Sequence, residues 1–335
     1  MAKTYPAISV IMPVLNEQDH LAAAVQSVLS QNYPGQIELL LCLGPSTDST
    51  NQIAASLALA DPRIRPINNP RGLTTVGLNE AIRQAQFDII IRIDAHSEPT
   101  PGYFQRGVEI LDEQNADLLG GIMDARGKAS FQSATAWAYT SRFGIGGAAF
   151  HVGGEAGEAE SAYLGIFRKS ALIRVGGYDE AIIRGEDWDL AQRIKKTGGL
   201  VWFSPELRVV YWPRGRFDRL VKQFYSTGVW RGDLTRRDLR GAPKRYFAPP
   251  VLVASVIIGL VAAVFGWLIG ILPAAAYLLG VAGLAVTASK LSLKARVALM
   301  IVLPTMHFSW GWGFWIGLFK GASGTIDRSR VTKKS

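Results

Sequence analysis

From Tyr246 to Ser289 the chain runs for 44 residues without one charged side chain. About 20 apolar residues carry a helix across the hydrocarbon of a bilayer, so the run has room for two spans. A helix of that length buried inside a soluble domain would be anomalous. The expected spans are 250–271 and 273–289, with Pro273 near the hairpin between them. A further apolar stretch, 297–319, is long enough for a third crossing. Pro304, His307 and the run WGWGFW also suit an interfacial or re-entrant element there. The composition agrees with a part of the chain in lipid: 48% of residues are hydrophobic and 19% charged, against a charged share of roughly 25% in soluble domains.

The net charge of +9 is unevenly spread. Arg231, Arg236, Arg237, Arg240, Lys244 and Arg245 precede the apolar run. Lys290, Lys294 and Arg296 follow it, and Arg328, Arg330, Lys333 and Lys334 close the chain. Basic clusters flanking apolar spans mark the cytoplasmic side and attract anionic headgroups. No zinc-finger spacing or basic-aromatic interleaving points to a nucleic-acid partner. The start, MAKTYPAISV, has no apolar signal segment. A multi-pass protein of the cell membrane is therefore expected, with residues 1–245 cytoplasmic, 246–319 in the membrane and 320–335 a basic tail. A single crossing by 297–319 would put that tail outside, against its charge. The lone cysteine, Cys42, lies in an apolar run and reads as a buried thiol.

Before Arg245 the pattern alternates strand and helix. Ile8–Leu15 and Ile37–Leu43 are continuous apolar runs, as in strands buried on both faces. Arg63–Ile67, Asp88–Asp94 and Asp117–Met123 read as further strands. His20 to Gln31 and Thr74 to Ala85 show helical spacing, and Ser46, Thr47 or Asp48 can cap a helix after the second strand. The fold class is α/β, with a mostly parallel sheet flanked by helices. Ligands of such sheets bind beyond the carboxyl ends of the strands. That edge holds Asn16–Glu17, the Gly44–Asp48 turn and Asp94–His96.

Asp94 and His96, two residues apart at a strand end, can reach one cation. A carboxylate and an imidazole suit Mn²⁺ or Mg²⁺, with phosphate oxygens and water completing the shell. A capping aspartate beside a surface histidine is the plainer reading of the same tripeptide. In Ile182–Gly199, the acids Glu186, Asp187 and Asp189 open a helix that Gly198 stops. Either all three acids serve to cap that N-terminus, or, since capping needs one, a spare carboxylate acts as a general base toward an acceptor hydroxyl.

The segments SVIMPVLNE (9–17), PSTDST (45–50), RIDAH (92–96), FQSATAWAYTSRFGIGGAAF (131–150), YLGIFRKSALIRVGGYDE (163–180), RGEDWDLAQRIKKTGG (184–199) and QFYSTGVWRG (223–232) follow one another in an order that resembles the family 2 glycosyltransferases with the GT-A fold. Among these, the resemblance is to bacterial succinoglycan-type glucosyltransferases that build lipid-linked exopolysaccharide. It implies an inverting, metal-dependent transfer of a hexose, glucose first, from a nucleotide diphosphate donor to a hydroxyl of a polyprenyl-linked saccharide. It places Pro13, Leu15 and Glu17 in the nucleoside pocket, and Asp94, Ala95 and His96 at the metal motif, in its D-x-H form. Asp187 of the Glu186–Asp187 pair takes the place of the base. Gly165 stands where small residues let donor and acceptor approach. Gln223, Trp230 and Arg231 resemble a respaced gating motif for diphosphate and acceptor sugar, within a juxtamembrane region 205–245. Arg214 and Arg216 suit either the diphosphate or lipid headgroups, and Glu160–Ser161 replaces the Asp-Thr of close relatives on the expected acceptor side.

The family's base-reading aspartate after the second strand is replaced by Leu43 before Gly44-Pro45. A UDP-sugar stays the first expectation, with the base recognised by other groups. A polyprenyl-phosphate glycosyltransferase of the same fold is the nearest alternative. A dinucleotide-dependent oxidoreductase would need G-x-G-x-x-G after the first strand, where Leu15-Asn16-Glu17 has no glycine. A non-catalytic membrane scaffold would show no donor-dependent behaviour.

Overall fold

The computed structural model describes residues 4–237, 239 and 244–322. Arg240 and the basic residues beyond 322 lie outside the described residues. In chain order the elements are β1 (Ile8–Val14), α1 (Leu21–Leu29), β2 (Ile37–Leu43), α2 (Thr50–Ala60), β3 (Ile64–Asn68), α3 (Thr74–Gln84), β4 (Ile89–Arg92), β5 (Ser97–Pro99), α4 (Tyr103–Glu113), β6 (Leu118–Ala125), α5 (Ser130–Tyr139), α6 (Ala149–Val152), β7 (Gly157–Glu158), β8 (Ile166–Arg168), α7 (Lys169–Arg174), α8 (Glu186–Lys196), β9 (Val201–Tyr211), α9 (Phe217–Arg237), α10 (Ala248–Val264), α11 (Leu272–Thr287) and α12 (Leu293–Lys320). The chain divides into two compact units, one of residues up to 124 with 148–211, the other of 125–147 with 212 onward.

The first unit is built on one sheet of order β3-β2-β1-β4-β8-β6-β9-β5, with β7 beside β9. β3, β2, β1 and β4 are parallel; β8 pairs antiparallel with β4 and β6, and β5 and β7 with β9. β1 is buried along its whole length and β2 up to its last residue, as their unbroken apolar sequences demand. The chain order reverses between β1 and β4, the switch point at which open α/β sheets bind ligands. Pro13 helps to open that gap. β1 pairs with β4 only as far as Ile11 and Arg92, and Ile93 then donates to the Ile11 carbonyl at 3.1 Å. Pro13, two residues on, turns its hydrogen-free nitrogen to the same side, so no donor is wasted where β4 has left.

Val201–Tyr211, part of which the sequence reading assigned to a juxtamembrane region, is an eleven-residue strand of the sheet. Its alternation is blurred by Pro205 and by burial of both faces at its end. Asp48 does the capping work at α2: its Oδ1 accepts from the Thr50 amide at 3.0 Å. Cys42 is fully buried, and burial pushes its thiol up to about 12. At pH 8 only about one thiol in ten thousand would then be thiolate. A thiol reagent at that pH is expected to spare the native protein and to label one cysteine once the chain is unfolded.

The second unit holds three helical segments long and apolar enough to cross a membrane: Lys244–Val264, Leu268–Thr287 and Leu293–Lys320. Ile258, Val264, Leu268, Leu279, Val286 and Leu293 are exposed along them, a surface suited to lipid and costly in water. The first turn between them falls at Phe265–Trp267, with Gly266 at φ +90°. Pro273 is displaced from that turn: it lies in the first turn of α11, where its missing N–H costs nothing. The third segment is one continuous helix of 28 residues with Pro304 inside it, about 42 Å long, rather than a re-entrant loop. Residues 205–211 belong to the sheet of the first unit; α9 follows in the second.

Candidate active site

β4 delivers Arg92 as its last residue, and the sheet buries it to 3% exposure. A buried guanidinium needs anions, because desolvating a lone charge costs several kcal/mol. Three carboxylates supply them. Arg92 Nε donates to Asp94 Oδ1 at 3.0 Å, its NH2 group faces Glu186 Oε1 at 3.3 Å, and its NH1 group pairs with Asp187 Oδ1. The Tyr178 ring lies 5.7 Å from the guanidinium carbon. Burial alone would weaken the charged form of Arg92; Asp187, then Asp94 and Glu186, outweigh it and hold the group charged far above any working pH.

The acids come from the first turn of α8. Gly185, at φ +83°, turns the chain into the helix. Glu186 and Asp187 stand at its positive end, where carboxylates are favoured. They spend that position on Arg92, while Asp189 pairs with Arg193 one turn on, at 2.8 Å. The surplus of acids over capping therefore has a use.

Asp94 and Ser97 close a turn after β4, the Ser97 amide donating to the Asp94 carbonyl at 2.9 Å. That turn carries His96 into a nearly closed site, 7% exposed. Its Nδ1 is 3.3 Å from Glu17 Oε1, and Tyr211 meets the ring edge-on at 5.7 Å. Glu17 is itself 5% exposed, its amide donating to Thr50 Oγ1 at 2.8 Å. Asn16, at φ +54°, binds the next loop, its Oδ1 accepting from the Thr47 amide at 2.8 Å. Tyr163 OH is 3.2 Å from Ser97 Oγ. Burial first, then the Asp94 charge, push its phenol far up and keep it a neutral hydroxyl.

The donor chemistry of Asp94 and His96, a carboxylate and an imidazole, suits a divalent cation of one kind. Among the described residues no three His, Cys, Asp or Glu side chains form a metal cage. Three carboxylates around one guanidinium leave two negative charges at the site. A protein offering one or two ligands suits Mg²⁺ or Mn²⁺ shared with a substrate's phosphates, because such ions keep octahedral oxygen shells filled largely by water and phosphate. Asp94 and His96 would hold the ion, with Glu17 orienting the imidazole.

Several residues singled out from the sequence have structural parts to play. Ala95, between Asp94 and His96 in the turn, is completely buried. Pro13 is buried within β1 and acts through the strand gap. Gly165 has φ +97°, and a Cβ there would lie 2.6 Å from the Phe167 ring and 2.8 Å from Leu118. The protein's own packing is sufficient to demand glycine at this position. Leu15 touches the line of a hypothetical Gly44 Cβ at 3.0 Å. Beside it a cavity of about 460 Å³ is lined by Leu43, Pro45, Asn51, Ile67, Asn68 and Pro70. Two of these, Asn51 and Asn68, carry side-chain amides. Gln223, Trp230 and Arg231 lie on α9 of the second unit, Gln223 and Trp230 buried and Arg231 over the Tyr246 ring at 4.7 Å. Arg92 was not singled out. Its signal was available: a lone arginine closing the apolar run DIIIRID must find acids.

The glycosyl transferase family 2 model matches residues 9–176. The succinoglycan biosynthesis protein ExoA of Rhizobium meliloti (strain 1021) is 32% identical over 314 residues, 91% of this chain and 93% of that protein. The chain belongs to glycosyl transferase family 2. This family 2 glycosyltransferase is also 24% identical over 335 residues to the dolichyl N-acetyl-alpha-D-glucosaminyl phosphate 3-beta-D-2,3-diacetamido-2,3-dideoxy-beta-D-glucuronosyltransferase of Methanococcus voltae, covering 94% of this chain and 98% of that one. Its fold is similar to that of the mannosyltransferase PcManGT from Pyrobaculum calidifontis, solved in complex with GDP-Man and Mn²⁺, with a TM-score of 0.62 at 18% identity over 94% of this chain and 88% of the other. The mixed sheet with helices on both faces is the GT-A arrangement.

Proposed function

We propose that this glycosyltransferase moves a hexose, glucose in the first instance, from a nucleotide diphosphate donor to a hydroxyl of a polyprenyl-linked saccharide, with inversion at the anomeric carbon. The observation that carries the reading is the meeting of Asp94, Glu186 and Asp187 on Arg92 at the switch point of the sheet. Asp94 and His96 would bind a divalent cation with the donor's diphosphate. The cation would stabilise the charge that builds on the leaving oxygen. Asp187, paired with Arg92, would take the proton of the acceptor hydroxyl as it attacks in line. One such displacement inverts the anomeric centre.

The names of the relatives support the acceptor class: one belongs to succinoglycan biosynthesis and another acts on a dolichyl-linked sugar phosphate. The three apolar helices suit a multi-pass enzyme of the cell membrane that meets a lipid-linked acceptor at the cytoplasmic face. UDP is the nucleotide to test first. The amides of Asn51 and Asn68 would serve the base in place of a carboxylate.

The test is purified protein in detergent or nanodiscs, with Mn²⁺ or Mg²⁺, against a panel of UDP-, GDP- and ADP-sugars. Metal-dependent release of nucleoside diphosphate from one donor is expected, lost in Asp94→Asn. Absence of both turnover and binding with every donor in the panel would defeat the proposal.

A further inference from the structure

Arg92 contacts the two groups that the reading above places on opposite sides of the reacting bond. Asp94 follows it by two residues; Asp187 lies 95 positions further along the chain. Each guanidinium nitrogen has its own carboxylate, Nε toward Asp94, NH1 toward Asp187 and NH2 toward Glu186. The backbone is held as firmly: the Arg92 amide donates to the Gly165 carbonyl at 3.0 Å, and Ile11 is its parallel partner. The guanidinium carbon lies over the Tyr178 ring, 5.7 Å from its centroid. A guanidinium presents its donors as a rigid planar fork, which an ammonium of equal charge cannot copy.

We propose that Arg92 is the positioning residue of the transfer reaction, a fixed spacer that sets the separation between the donor-side carboxylate Asp94 and the acceptor-side base Asp187. It touches neither donor nor acceptor. A structural ion pair could be satisfied by any acids. Here one side chain joins the strand end that would hold the metal to the helix start that would hold the base. The three partners remain part-exposed at 14%, 15% and 28% while Arg92 is at 3%. The carboxylates thus face outward from a buried centre, as reacting groups must. The inference rests on the proposed function for the meaning of the two sides.

Arg92→Lys keeps the charge and removes the fork. Donor and Mn²⁺ binding, followed by titration, should stay within about threefold of the parent. The kcat for transfer should fall roughly 100-fold, the loss typical of a misplacement near 1 Å, with little change in donor KM and no large change in unfolding temperature. Tyr178→Phe leaves all four charges and the buried ring in place and removes only the phenol hydroxyl that interacts with Arg92; it should lower kcat about tenfold with the same split, and it serves if Arg92→Lys does not fold. Wild-type kcat in a folded variant would overturn the proposal. So would donor affinity, kcat and unfolding temperature all falling together. A parent protein that turns over no donor would instead count against the proposed function, which separates the two failures.

Discussion

Asp187→Asn is expected to bind donor and metal as the parent does and to lose transfer to a hydroxyl acceptor by about 10²–10⁴-fold, the usual contribution of a positioned base. Asparagine preserves the shape of the side chain and accepts no proton. The fold should survive, because Arg92 keeps Asp94 at 3.0 Å and Glu186 at 3.3 Å, so its buried charge is not stranded. Donor titration and product formation, measured on the same preparation, separate binding from chemistry. Full turnover in the variant would remove Asp187 from the role of base. Turnover retained only with bare polyprenyl phosphate would point to an anionic nucleophile that needs no base, and thus to a lipid-phosphate product.

The second large effect is on stability, where the sign of a glycine substitution should depend on its helix. In α9 and α12 the backbones touch. A Cβ at Gly228 would lie 2.1 Å from the Trp310 carbonyl oxygen, at Gly232 2.1 Å from that of Phe314, at Gly313 2.3 Å from that of Tyr225 and at Gly317 1.9 Å from that of Val229. These atoms are backbone and cannot rotate away, so the helices must separate. Gly317→Ala should therefore cost at least the ~1–3 kcal/mol of ordinary overpacking, and Gly317→Leu should abolish the folded state. In α11, by contrast, Gly280 and Gly283 have nothing within 4 Å of such an atom. Gly280→Ala should gain up to the helix-propensity difference of about 0.8–1.0 kcal/mol. Thermal unfolding in one detergent compares the variants directly. Equal effects of Gly317→Ala and Gly280→Ala would contradict the close α9–α12 crossing.

Some of this architecture is written locally. β2 runs from Ile37 to Leu43 and β1 from Ile8 to Val14, within a residue of their apolar runs, because a strand covered on both faces needs no alternation. α3 begins at Thr74 and α8 at Glu186, where threonine and acidic residues stand before helical spacing. The long charge-free run likewise has few outcomes other than lipid-facing helices. The strands Ser97–Pro99, Gly157–Glu158 and Ile166–Arg168 could not be read in this way. Each is three residues or fewer, too short to show a period, and each is a strand only because a neighbour offers its hydrogen bonds.

The site shows the same division. Local sequence determined which groups could do chemistry: Asp94 and His96 at a strand end, and acids in excess of capping at the start of α8. Tertiary structure decided their arrangement. Bonds between α8 and the end of β4 cross more than ninety residues, and no residue pattern fixes a distance over that separation. The buried charge of Arg92 does so, since it must draw its acids to within about 3 Å or carry the cost of a desolvated ion alone.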